Sequence, residues 1–404
     1  MRITPPARRV LAVLVGFVAV AATLAGPSNA EAAGVPNPTP GVAVHFQYPV
    51  ADSRHTSANQ ESVANTLESQ FEAIAVHNGS TPWNVYITMF DLVSAKSSDV
   101  VGRLLTSIQN SQAIVHVVFD NHQAASNTKP TCSGAAVSTN KGGWTSAAAR
   151  LYCIAVHSGG DFNRCTYSCI ADSGHSIMHN KFVLFASRTD DQRIVMSSSA
   201  NWTPVQLANY YQTIAVLRGT KAGSTNNNIF HQWYLYWRDL ATHADHVPGI
   251  YTTSYVTSAF FPRSTDPELA ELQKVDCARG GFIGLRSNNF DNPDLAEQLA
   301  AMRKKGCSVH VLATAHGIQH NYPGLDKHCV NNLHQKDLII DAHYPGGTPD
   351  LSVWTGSRPF GPAFRSAADS DLRLRGQFWV DRFKTDFDQQ FAQTTAHGRA
   401  ACHY

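Results

Sequence analysis

The chain has 404 residues, with 32 Lys and Arg set against 30 Asp and Glu, and a formal net charge of +2. That length is enough for two domains or one large duplicated unit with a full apolar core. The near balance of charge argues against a non-specific nucleic-acid binder, which needs an excess of cations facing phosphates.

Residues 1–32 have the pattern of a secretory signal. Arg2, Arg8 and Arg9 precede an apolar run from Val10 to Ala25, and small residues follow around Ala30 and Ala32. No later stretch is apolar enough to cross a membrane. Removing these residues takes away three Arg and one Glu, which leaves a formally neutral exported chain. All eight cysteines lie beyond the signal: Cys132, Cys153, Cys165, Cys169, Cys277, Cys307, Cys329 and Cys402. An even number in an exported chain implies up to four disulfides. Cys153-x3-His157 beside Cys165-x3-Cys169 mimics a zinc site, but zinc motifs have tighter Cys pairs, so disulfides are expected. Cys307 with Cys329 is a plausible local pair.

In chain order, a first strand "NVYITMFDL" (84–92) leads to a helical stretch "SSDVVGRLLTSIQNSQ" and a strand "AIVHVVFD" (113–120). "SIMHNKFVLFA" (176–186) then places His179 and Lys181 two apart at the head of an apolar run. In a strand such residues share a face, while Ala186 points to the other. "IVMSSSANWT" (194–203), "QTIAVLRG" (212–219) and an amphipathic "FHQWYLYW" (230–237) complete the unit.

The order then repeats. "GFIGLRSNNFDN" (281–292) parallels the first strand, aligning Phe290-Asp291 with Phe90-Asp91, and these aspartates are expected to cap the helices that follow. A helical "NPDLAEQLAAMRKKGC" and a strand "SVHVLAT" (308–314) come next. "NNLHQKDLIIDAHYP" (331–345) carries His334, Lys336 and Asp341; "LSVWTGSRPF" (351–360), "DSDLRLRG" (369–376) and "QFWVDRFKTDF" (377–387) close the second unit. This is an internal duplication. Two ordinary strands would not be expected to repeat the same two polar residues within such an order.

The halves differ mainly by insertion. His116 and His179 are 63 positions apart, whereas His310 and His334 are 24 apart. The surplus, about 121–175, carries four cysteines with Gly142, Gly143, Gly159 and Gly160 and is expected to be a disulfide-tied excursion beside the site, a lid or substrate loop. Trp233, Trp237 and Trp379 are expected in the core, and His316 and His320 in a loop near the site entrance.

The paired His-x-Lys strands, each followed by a small-residue turn, resemble the phospholipase D superfamily, whose signature is His-x-Lys-x4-Asp followed by Gly-Ser-x-Asn. The second copy matches the first element with His334, Lys336 and Asp341; the first copy has Ala186 in place of the Asp. Ser199 and Asn201 match Ser-x-Asn, whereas Gly356-Ser357-Arg358-Pro359 lacks the Asn. The resemblance covers about residues 42–390. It implies an α/β fold, with two α/β/α sandwich lobes related by a pseudo-twofold and the active site between them. The lobes are expected at 33–248 and 249–404.

It further implies catalysis by His179, Lys181, His334 and Lys336, with His179 as nucleophile and His334 as acid and base. Asn201, Ser199, Ser357 and Asp341 are implied as phosphate-binding or supporting residues. Asp369 or Asp371 would orient one imidazole, and Gln212 stands at the aligned position for the other, where it accepts a hydrogen bond but stabilises an imidazolium less than a carboxylate does. No cofactor or metal is required, since the lysines supply the positive charge. The expectation is a secreted monomer that acts on phospholipid phosphodiesters by hydrolysis or transfer, with interfacial membrane contact and no obligate protein partner. An exported metal-independent endonuclease, or a catalytically weakened lipid-binding homologue, stands as the alternative; a nucleic-acid substrate is disfavoured by the charge balance.

Overall fold

The computed structural model describes residues 41–76, 82–94, 96–120, 129–133, 136–138, 144–170, 176–189, 192–219, 225–314 and 324–396. The expected signal segment, Gly142, Gly143, His316, His320 and Cys402 lie outside the described residues.

In the first half the chain runs through β1 (Val42–Gln47), α1 (Ser57–Gln60), α2 (Ser62–Val76), β2 (Asn84–Met89), α3 (Val100–Asn110) and β3 (Ile114–Asp120). It continues through β4 (Thr131–Ser133), β5 (Ala136–Ser138), α4 (Ser146–His157), β6 (Phe162–Cys165), β7 (Lys181–Ala186), β8 (Arg193–Ser198), α5 (Pro204–Asn209), β9 (Gln212–Gly219) and α6 (Thr225–Ala241). The second half contains β10 (Tyr251–Thr252), β11 (Val256–Phe260), α7 (Pro267–Leu272), β12 (Phe282–Ser287), α8 (Pro293–Lys304) and β13 (Ser308–Ala313). After these come β14 (Asp326–Cys329), β15 (Asp337–His343), β16 (Pro349–Gly356), β17 (Ser370–Arg375) and α9 (Gln377–Ala396).

The strands form two large mixed sheets, ordered β1-β9-β8-β7-β2-β3-β6 and β10-β11-β17-β16-β15-β12-β13-β14. Leaving out the short edge strand β10, the two orders correspond strand for strand, so the duplication read in the sequence is a duplication of the fold. Each sheet is covered by helices on both faces. Val63, Leu67 and Phe71 of α2 and Leu104, Leu105 and Ile108 of α3 bury against Val183 and Phe185 on one face of the first sheet. Leu295, Leu299 and Met302 of α8 do the same for Leu338 and Ile340 in the second. Between the lobes a single apolar core joins Phe182, Leu184 and Ala186 to Ile339 and Val353, with Trp233, Trp237 and Trp379 of α6 and α9 packed into it. Burial on both faces explains why β7 is apolar after Lys181 rather than alternating.

Four details differ from the sequence reading. Arg286 pairs with Asp337 as Thr88 pairs with Phe182, which places Phe290 opposite Leu92 and shifts the repeat by two residues from the Phe90–Phe290 match. Isolated bridges agree, since Leu92 pairs with Trp202 and Phe290 with Phe360. The helix caps are therefore Asp99, whose carboxylate accepts from the Gly102 N–H, and Asn292, which accepts from Leu295, rather than Asp91 and Asp291.

The insertion is not a detached lid in its described part. α4 buries Leu151, Ile154 and Ala155 in the lobe core, and β6 adds to the sheet beside β3, where β14 lies in the other lobe. Cysteine pairing also differs. Cys132 joins Cys153, Cys165 joins Cys169, and Cys307 joins Cys277 rather than Cys329, because β13 and the short turn before β12 lie side by side.

The Cys277–Cys307 bond closes a loop with a sequence separation of 30. Replacing both cysteines with Ala should cost about 3–4 kcal/mol of stability through the freed denatured chain. Denaturant melts of the double variant measure this.

Candidate active site

The two His-x-Lys segments meet at the pseudo-twofold, and they do so by leaving their own sheets. β7 begins only at Lys181 and β15 only at Asp337, so neither histidine lies in a regular strand as the sequence pattern implied. Each lead-in pairs with the opposite lobe instead. Met178 bridges Ala368, and the His179 N–H donates to the Ala368 carbonyl at 2.8 Å. Tyr211 bridges Leu333, and the His334 N–H donates to the Tyr211 carbonyl at 3.1 Å.

The side chains repeat this crossing. His179 Nδ1 lies 3.0 Å from Asp369 Oδ1, which also accepts from the Ser357 hydroxyl at 2.6 Å. His334 Nδ1 lies 3.2 Å from Gln212 Oε1, which accepts from the Ser199 hydroxyl at 2.6 Å. The Gln212 amide N–H points to the Gln206 carbonyl, so its oxygen faces His334 Nδ1, which Lys336 Nζ also approaches at 3.1 Å. In both rings the supporting contact is made at Nδ1. Asp371, the other candidate, is held by Arg358 at 2.8 Å and serves no histidine.

The lysines are buried beside the rings. Lys181 Nζ reaches the His179 carbonyl at 2.5 Å, and Lys336 Nζ reaches the His334 carbonyl at 2.6 Å. Burial brings the Lys181 ammonium down to about 7, against the pull of Asp369, Asp91 and Asp120. Burial and the neighbouring Lys181 push Lys336 well below its usual range. Both imidazoles are lowered too. For His179 the causes are burial and Lys181, with Asp369 opposing; for His334 they are burial, Lys336, Lys181 and His179. Burial raises the Asp369 carboxyl, but His179, Lys181 and Ser357 outweigh it and hold it below the ordinary value. Four basic groups thus crowd one space in which each disfavours protonation of the others, a site built for an anion.

Asn201 is buried next to this network, and its Oδ1 has no hydrogen-bond partner among the described residues. Arg358 occupies the opposite lobe's turn, locked by Asp371, Asp266 and Glu268, so no second amide is presented there. Gly356 precedes Ser357 where a Cβ would fall 2.3 Å from the Ser370 carbonyl, which explains the glycine. Ala186 lies on the face opposite Lys181, in the apolar core. Asp341 is also away from the site, half-buried near Asp381 and Lys384 of α9.

Two aromatic residues lie at the site although the sequence pattern assigned neither of them to it. The Phe90 ring sits 4.9 Å from His179 and 5.2 Å from Lys181 Nζ, and Tyr210 lies 6.1 Å from His334. Phe90 directly follows the end of β2, where ligand groups gather in sheets of this kind, and that position was the available signal.

No protein-family profile matches the chain, and no curated protein matches it. Among solved structures it is similar to polyphosphate kinase from Porphyromonas gingivalis, with a TM-score of 0.54 at 13% identity over 86% of this chain and 46% of that one. It therefore spans less than half of that enzyme. It is also similar to phosphatidylserine synthase from Haemophilus influenzae Rd KW20, with a TM-score of 0.50 at 13% identity over 87% of this chain and 86% of that one.

The lowered Lys181 makes anion binding depend on pH. Its ammonium is present below pH 7 and lost above it. The affinity for sulfate, which does not titrate in this range, should fall roughly tenfold between pH 6 and 8. Calorimetric titration at the two pH values measures this.

Proposed function

We propose that this chain, which has the fold of the phospholipase D superfamily, is an exported phosphodiesterase acting on phospholipid headgroups through a phosphohistidine. The observation that carries the reading is the gathering of His179, Lys181, His334 and Lys336, two from each lobe, in one site, with His334 and both lysines buried and Asp369 on the partly exposed His179.

A phosphodiester resists attack by water because it is anionic, and a covalent intermediate divides the reaction into two easier steps. His179 Nε2, with Nδ1 held by Asp369, attacks phosphorus. His334 gives a proton to the departing alcohol oxygen as the P–O bond breaks, leaving the phosphoryl group on His179. His334 then takes a proton from water or a second alcohol, whose oxygen displaces His179 and completes hydrolysis or transfer. Lys181, Lys336 and the Asn201 amide cover the non-bridging oxygens. Substrate binding brings a negative charge that restores the lysine ammonium forms and the imidazolium of His334, the acid, while His179 stays neutral to attack.

Export is supported by three disulfides among the described residues and by the signal-like residues 1–32. A lipid substrate is favoured by the neutral charge of the exported chain. Exposed Tyr167 and Ile177, between β6 and β7, and exposed Val205 of α5 support contact with a membrane surface.

The test incubates the purified protein with phosphatidylcholine vesicles and, separately, plasmid DNA, both with excess EDTA. Headgroup release should survive chelation. His179→Ala and His334→Ala should each lower kcat by at least a thousandfold, and the double variant should be little worse. DNA cleavage without lipid turnover would replace the substrate. A single variant retaining most activity would refute the two-lobed site.

A further inference from the structure

Behind the second His-x-Lys segment lies a buried cluster of charges that the proposed reaction does not use. Asp386 of α9 is its hub. Its Oδ1 accepts from the Tyr48 hydroxyl at 2.9 Å and from Arg54 Nη1 at 2.6 Å, and its Oδ2 contacts Arg286 Nη1 and accepts from the Gln335 amide at 3.3 Å. Arg286 also pairs with Asp337 at 2.7 Å. Gln335 and Asp337 are the residues on either side of Lys336. On the other flank Arg54 grips Asp52 through two nitrogens, at 2.9 and 2.8 Å, and Asp52 accepts from the Tyr211 hydroxyl at 2.8 Å. The Tyr211 carbonyl is the group that receives the His334 N–H.

The cluster therefore grips the second segment from two directions, through Gln335 and Asp337 in its own lobe and through Tyr211 from the other. The fold does not demand this. In the first lobe Thr88 stands where Arg286 stands, Phe182 where Asp337 stands, and among the described residues the Asn180 side chain is held by the Tyr236 hydroxyl alone, at 3.0 Å. Burying three carboxylates and two guanidiniums costs free energy that neutral side chains would avoid, so the arrangement calls for a role beyond stability.

We propose that Asp386 is a positioning residue that sets His334 and Lys336 against the reacting phosphate. The proposal rests on the functional reading above. A brace of this kind acts on rate more than on binding, because a small displacement of an acid–base group is felt mainly in the transition state.

Asp386→Asn keeps the shape of the side chain and removes the charge; Tyr211→Phe removes one hydrogen bond and leaves the backbone contact to His334. On phosphatidylcholine, Asp386→Asn should lower kcat at least tenfold with KM within twofold, and Tyr211→Phe should lower kcat about three- to tenfold with an unchanged melting temperature. Imidazole 15N spectra of each variant should show His334 resonances displaced and those of His179 unmoved. A folded Asp386→Asn protein with wild-type kcat and unmoved His334 resonances would overturn the proposal, as would equal displacement of both histidines. If Asp386→Asn does not fold, Tyr211→Phe decides by the same criteria. If the wild-type protein turns over no phosphodiester, the functional reading fails, while the resonances still show whether the brace sets His334.

Discussion

The structure depends on a reciprocal clasp between lobes. Each histidine segment leaves its own sheet and hydrogen-bonds to backbone that precedes a strand of the other lobe, at Ala368 and at Tyr211. The same crossing is made by side chains, Asp369 to His179 and Gln212 to His334. Neither lobe alone presents a complete site, and neither histidine keeps its orientation without the other half. Two buried lysines and two imidazoles would be costly to gather in any single lobe. Here the cost is shared by a joint between two copies of one fold, whose common apolar core also holds α6 and α9.

On this symmetric frame the chemistry is asymmetric. One ring rests on a carboxylate and the other on an amide, so one imidazole has an anionic partner at hydrogen-bond distance and the other a neutral one. A carboxylate on Nδ1 raises the electron density at Nε2 and stabilises the ring once it carries a phosphoryl group, which suits His179 to attack. An amide is a weaker partner for the His334 imidazolium and leaves its proton easier to lose, which suits an acid. The turns after β8 and β16 diverge in the same sense. One presents Asn201, and the other is filled by Arg358 with its own carboxylates.

Much of this was legible in the chain because it is local. The repeat of strands and helices, the His-x-Lys spacing, the parity that puts Ala186 behind the site, and the alignment of Gln212 with Asp369 all follow from periodicity. What was hidden joins residues far apart. Asp369 and His179 are separated by 190 positions, Gln212 and His334 by 122, and Arg286 and Asp386 by 100. The histidines looked like strand residues because apolar runs follow them; only the opposite lobe pulls them out of the sheets. The two-residue error at Phe290 arose because similar Phe-Asp pairs recur near the ends of β2 and β12, while register is set by pairing with β7 and β15. The insertion's share in the sheet was hidden for the same reason, since β6 is a short polar strand recognisable mainly by its partner β3.

The central claim is that one imidazole of the crossed pair carries the phosphoryl group and the other moves the proton. The most direct measurement is rapid alkaline quenching of enzyme mixed with a p-nitrophenyl phosphodiester, followed by mass spectrometry of the peptides. The account predicts a phosphoryl adduct on the peptide holding His179, longer-lived in His334→Ala because this leaving group needs little acid while release still needs a base. An adduct on His334 or elsewhere, or no adduct in a preparation that turns the substrate over, would contradict it.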